Sequence, residues 1–214
     1  MSEIKDIGNL SLPDSIDYTV EFPYAVLPAL IEAKKKAFKD QATECYNRNF
    51  WKDYANHFDG HRGDRASLVV IDINNLKKTN DAPVESGGGH LAGDKIIKKT
   101  ADFLMANFTR KNDRIIRFGG DEFIILCNHI NGSNSKTDST PSSDSDKPID
   151  KFDHWLNSIF SPETLSALGL DFAYGAAHFN PQEDHDIEDT LRRADKKMYQ
   201  KKMEMKSNLP ANIG

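Results

Sequence analysis

Three groups of side chains in this sequence have the types and spacing to do chemistry. Asp72 stands at the end of Ala66–Ile73 (ASLVVIDI), the most apolar run in the chain. An unpaired carboxylate in such a run is costly, so Asp72 is either a strand-end residue facing water or a cation ligand. Asp121 and Glu122 follow Gly119-Gly120 between two strand-like runs, Arg114–Phe118 and Phe123–Asn128, which predicts a hairpin with two carboxylates at its tip. Consecutive glycines there permit positive φ and close approach by a bulky ligand. A strand pairing that joined Asp72 to Asp121 would suit Mg²⁺ or Mn²⁺, hard cations that bridge phosphates. The third group is basic: residues 192–206 carry seven positive and two negative charges, with Lys202 and Lys206 at i and i+4 on one helix face. Each group also has an ordinary reading, as a solvated turn, a strand end or a solvated helix face. Gly87-Gly88-Gly89-His90 is neither of the familiar glycine loops. Counted from Gly88 and Gly93, a P-loop needs Lys where Asp94 stands, and a dinucleotide fingerprint needs Gly where Ala92 stands.

These residues must be placed by a scaffold of 214 residues with 28 Lys+Arg, 33 Asp+Glu and a net charge of −5. That length predicts one domain with some spare chain. No apolar run approaches the ~20 residues of a membrane span. The start lacks the basic and apolar regions of a signal peptide, and two isolated cysteines, Cys45 and Cys127, suit a reducing compartment; a cytoplasmic protein is expected. Mild acidity argues against a non-specific nucleic-acid binder. Residues 1–36 and 131–150 each carry a net −2, which leaves the rest of the chain near neutral.

Apolar spacing predicts helices over about 24–39, over about 47–58 (ended by Gly60 and Gly63), over 89–108, over about 151–160 and from Ile187 onward. Strands are predicted at 66–73, 114–118, 123–128 and 170–177. Residues 131–150 have no apolar residue before Ile149 and read as a disordered loop. The order fits an α+β protein with a βαββαβ core and helices packed on one sheet face.

Four motifs then occur in order: Asp72-Ile73-Asn74-Asn75-Leu76-Lys77-x-x-Asn80-Asp81, Gly89-His90-x-x-Gly93-Asp94, Arg117-x-Gly119-Gly120-Asp121-Glu122-Phe123, and Ala194-Asp195-x-x-Met198-Tyr199-x-x-Lys202. Together they resemble the GGDEF-domain family, the diguanylate cyclases, over about residues 38–206. The resemblance implies a palm-like βαββαβ domain, an antiparallel-containing sheet flanked by helices, spanning residues 39–207. A leader and helix (1–38) precede it and a tail (208–214) follows. It implies that two GTP-loaded domains meet as a homodimer and form cyclic di-GMP and two pyrophosphates. Two Mg²⁺ or Mn²⁺ ions per site would be bound by Asp72, the Ile73 carbonyl and Asp121, with Asp121 and Glu122 as the catalytic carboxylates, Glu122 supporting metal binding or proton removal. Asn80 and Asp94 match the guanine-reading pair. Leu76, Lys77, Lys202 and Lys206 match phosphate contacts. Arg110 and Asp113 match, by position, an R-x-x-D site where cyclic di-GMP, the product, inhibits.

The chain departs from that family at several places. Seven residues (Ala82–Gly88) stand where two are usual, beside the expected guanine site. Asn74 replaces the second acid of D-x-D. In Asp40-Gln41-Ala42-Thr43-Glu44-Cys45-Tyr46-Asn47-Arg48, the glycine and both leucines of the family's D-x-L-T-G-L-x-N-R are lost. Lys206 stands for Arg, which weakens a bidentate phosphate grip, and Ala173 for Ser. No metal-binding carboxylate is missing. The rival reading of the same residues is a silent domain that holds cyclic di-GMP or GTP without turnover.

Overall fold

All eight residues of β2 (Ala66–Ile73) are buried, because the strand lies inside the sheet and is covered on both faces. The computed structural model describes residues 26–60, 66–128 and 148–207. The chain divides into two units, Met1–Ala37 and Phe38–Gly214. The first is described through α1 (Val26–Phe38), whose last turn carries Lys35 and Lys36, favourable to the negative end of the helix dipole.

In the second unit, among the described residues, five strands form one sheet in the order β1-β3-β4-β2-β5. β1 (Tyr46–Asn47) runs parallel to β3 (Asp113–Arg117). β4 (Glu122–Asn128) pairs antiparallel with β3 and β2, and β5 (Phe172–His178) pairs antiparallel with β2. Alternation along β2 builds two cores. Val69, Ile71 and Ile73 face Ile97, Ala101 and Leu104 of α4 (His90–Asn107) and Leu156 of α5 (Pro148–Ile159). Leu68 and Val70 face Trp51 of α2 (Arg48–His57) and Ile187, Ala194 and Met198 of α7 (Ile187–Ser207). The expected single helical layer is therefore corrected to two: a strand with eight buried residues needs cover on each face. α7 lies directly on β5 at Gly175, where a Cβ would stand 2.2 Å from the Met198 amide nitrogen and 2.4 Å from the Ala194 carbonyl oxygen.

Sequence periodicity locates β2, α4, β3, β4, β5 and α7 to within about two residues, and misses the short pieces. β1, α3 (Leu76–Asp81), the 3-10 turn Val84–Ser86 and α6 (Pro162–Ala167) span six residues or fewer, too few for a period. α2 ends at Phe58, which turns extended, before either glycine; Gly63 lies outside the described residues. The expected disordered loop is corrected at its end, since Pro148–Asp150 belong to α5. Residues 131–147, the leader 1–25 and the tail 208–214 lie outside the described residues.

Candidate active site

The register of β2 and β4 sets Asp72 opposite Glu122. The Ile73 amide donates to the Asp121 carbonyl (3.0 Å), which ties the hairpin tip to the end of β2. The hairpin closes as the Phe118 and Gly119 amides donate to the Glu122 carbonyl (2.8 and 3.3 Å). Gly119 has a second reason to be glycine: a Cβ there would stand 2.6 Å from Glu122 Oε2. Burial pushes the Glu122 carboxyl up, and the charges of Asp121, Asp72 and Asp195 push it further; Lys202 opposes them. The Lys202 ammonium donates to Asp72 Oδ1, which pairs the buried carboxylate across 130 residues of sequence. Lys206, one turn on, and Lys77, on α3, are exposed.

The turn after β2 is held by a residue the sequence reading did not single out. Asp171, just before β5, accepts from the side-chain amides of Asn74 (2.8 Å) and Asn75 (3.3 Å), while its carbonyl accepts from the Asn74 amide (2.9 Å). This accounts for Asn74 where the family has an acid: an amide donates to Asp171, whereas a carboxylate would repel it. Asn75 takes a left-handed conformation (φ 59°), turning the chain into α3 so that Leu76 is buried. Nothing in the sequence spacing of Asp171 marks it.

Asn80 on α3 lies against Gly93 on α4, where a Cβ would collide with Asn80 Oδ1. That oxygen is buried and has no partner. Asp94 is the neighbouring residue and lines a cleft of about 350 Å³ with Ala42, Leu91, Lys95, Ile97 and Arg117, near the lower size limit for small-ligand clefts. Asn80 does not line it, so the two expected guanine readers are neighbours rather than co-liners. The Ala82–Gly88 insertion does not line it either. The insertion folds on itself instead: the Ser86 and Gly88 amides donate to the Pro83 carbonyl (3.1 and 3.0 Å), and the Gly87 amide to that of Val84 (2.9 Å).

Arg117, which lines the cleft, is held by Asp40. Arg117 donates to both Asp40 oxygens (3.2 and 3.4 Å) and to the Gly120 carbonyl (3.0 Å), linking the D-x-x-T turn to the hairpin. Burial would raise the Asp40 carboxyl, but hydrogen bonds from Thr43 and the charge of Arg117 outweigh it and hold the pKa low. Of the lost leucines, Ala42 is exposed at the cleft and Cys45 is buried in the core. Glu44 takes φ 64°, the left-handed region where the family has glycine.

Arg110 and Asp113 meet in a turn between α4 and β3. The Asp113 amide donates to the Arg110 carbonyl (3.0 Å) and the Arg110 amide to Asp113 Oδ2 (3.3 Å). Burial raises the Asp113 carboxyl, while Arg110 and a hydrogen bond from the Cys127 thiol pull it down.

The donors around Asp72 suit a hard cation: carboxylates converge there, their mutual repulsion raises the proton affinity of Glu122, and a carbonyl lies alongside. Among the described residues no three His, Cys, Asp or Glu side chains make a closed cage.

The family model for the diguanylate cyclase GGDEF domain matches residues 37–208. This chain belongs to the GGDEF family. It is 31% identical over 204 residues to the probable diguanylate cyclase DgcC of Escherichia coli, covering 90% of this chain and 50% of that protein. It is 33% identical over 106 residues to the diguanylate cyclase VdcA of Vibrio cholerae, covering 47% of this chain and 27% of that protein. The GGDEF chain thus spans half or less of the length of these relatives. Its fold is similar to the coiled coil and GGDEF domain of DgcB from Caulobacter crescentus, solved with c-di-GMP, at a TM-score of 0.62 and 21% identity over 84% of this chain and 87% of that one. Among the described residues no helix is long and apolar enough to cross a membrane.

Proposed function

We propose that this GGDEF domain is a diguanylate cyclase that condenses two GTP into cyclic di-GMP and two pyrophosphates across a homodimer. The observation that carries this is the convergence of Asp72, Asp121 and Glu122 with Lys202 at the joined ends of β2 and the hairpin. Mg²⁺ or Mn²⁺, two per site, would be held by Asp72, the Ile73 carbonyl and Asp121, and would supply charge neutralisation on the triphosphate and acidification of the attacking hydroxyl. Each 3′-hydroxyl attacks the α-phosphorus of the other GTP; the bond to the β-phosphate oxygen breaks and pyrophosphate leaves.

The protein's own groups orient and discharge this step. The Glu122 carboxyl, with its proton affinity raised by burial and neighbouring acids, is suited to accept the hydroxyl proton near neutral pH. Lys202 lies beside Asp72 and, with Lys206 and Lys77, would take the leaving phosphates. Asp94 can accept from guanine N1–H and N2–H₂, a pair that adenine cannot supply, and Asn80 Oδ1 is a buried acceptor still lacking a donor. Arg110 and Asp113 bind cyclic di-GMP as inhibitor.

Incubation with GTP and Mg²⁺ should yield cyclic di-GMP, and Asp121→Ala should reduce the rate by at least about a hundredfold. Nucleotide binding without turnover would favour the silent sensor. Competition by ATP as effective as that by GTP would count against the role of Asp94.

A further inference from the structure

Resting on the Arg110–Asp113 reading above, we propose that Trp155 is the aromatic platform of that regulatory site, stacking a guanine base that Arg110 holds by its edge. Arg110 is exposed, on the turn that follows α4. Its guanidinium carbon lies 6.0 Å from the centroid of the Trp155 ring, on α5. A guanidinium over an aromatic face keeps its in-plane N–H donors available, so it can still donate to the O6 and N7 acceptors of guanine. A base engaged that way is brought over the indole beside it, where stacking adds to the hydrogen bonds.

The indole is fixed for this purpose. Phe108 packs edge-on against it (5.1 Å between centroids, 74°) and Phe152 packs at a tilt (5.9 Å, 42°). Trp155 is only partly buried, and Asp113 is tied into its turn by the Arg110 amide. A cation, an acceptor and a pinned aromatic surface are therefore brought together from the end of α4, the start of β3 and the middle of α5. The other tryptophan, Trp51, is 1% exposed and donates to Glu188 Oε1 (2.8 Å) in the opposite core. Its emission should not respond to ligand at this site.

The test uses the full chain and radiolabelled cyclic di-GMP in equilibrium dialysis, with tryptophan emission read in parallel. Wild type should bind and show saturable quenching, and Trp155→Phe should remove the quenching. Trp155→Leu should weaken binding roughly five- to hundredfold, with Trp155→Phe between the two; the melting temperature of each variant is recorded. If Trp155→Leu lowers the melting temperature sharply, the Phe variant alone decides, and either binding equal to wild type or quenching that survives in it overturns the proposal. If Arg110→Ala abolishes binding while both Trp155 variants bind as wild type, the platform is wrong and the Arg110 reading stands. If wild type does not bind at all, or Arg110→Ala binds as wild type, the Arg110 reading itself fails and the platform with it.

Discussion

Asp72 and Lys202 show how one residue's charge is kept paired inside the fold. Lys202→Met leaves the Asp72 carboxylate buried without its partner, which should cost roughly 1–3 kcal/mol in urea unfolding. In an Asp72→Asn background the same change should cost little. Equal costs in both backgrounds would mean the pair is not coupled. Glu122 carries the opposite strain. Its folded pKa is raised, so the folded state binds the proton more tightly than the unfolded one, and stability falls as pH rises through that window. Glu122→Gln should therefore raise the melting temperature of the metal-free protein at neutral pH and lose the advantage in acid. Solvent screening limits the gain to at most about 1 kcal/mol, or about 2–4 °C. The same variant should lower turnover. A stability gain unchanged between pH 4 and 7 would remove the titration from the account.

At the scale of elements, the site depends on how α7 and the hairpin meet the sheet. Gly175→Ala drives a methyl into the α7 backbone at Met198 and Ala194. It should cost about 1–3 kcal/mol by overpacking, and it should lower activity further by moving Lys202 off Asp72. A variant with unchanged activity would detach the Gly175 contact from the site. The Asp40–Cys45 turn works at a local cost, with Glu44 held at φ 64°. Glu44→Gly should gain up to about 1 kcal/mol, read as a higher melting temperature. At the far end of the sheet, burial lowers the His178 pKa below its ordinary 6.5, although Asp153 pulls it up. The unfolded chain then takes up a proton that the folded chain resists, so stability falls as pH drops below about 6.5. His178→Gln should flatten the pH 7 to 5.5 difference in urea midpoint; an unaltered difference would assign it to other groups.

At the scale of the whole molecule, the proposed reaction needs two half-sites to meet, so the rate per protomer should rise with protein concentration and level off. A rate per protomer constant across two decades of dilution, with only monomer in sedimentation, would oppose a dimeric reaction. The amino-acid sequence determined the long elements, because a buried strand such as Ala66–Ile73 and an amphipathic helix such as α4 write their periods into the residues. It also determined which residue types gather at the site, since four motifs keep their order and spacing. It did not show that helices cover both faces, because a run of buried residues does not say what covers each side. Nor did it mark Asp171 under Asn74 and Asn75, Arg117 on Asp40, or Trp155 beside Arg110, pairs separated by 97, 77 and 45 positions or nearly so. Those pairings exist only once strand register and helix docking have brought distant segments within hydrogen-bonding and stacking range, and no local period records that distance.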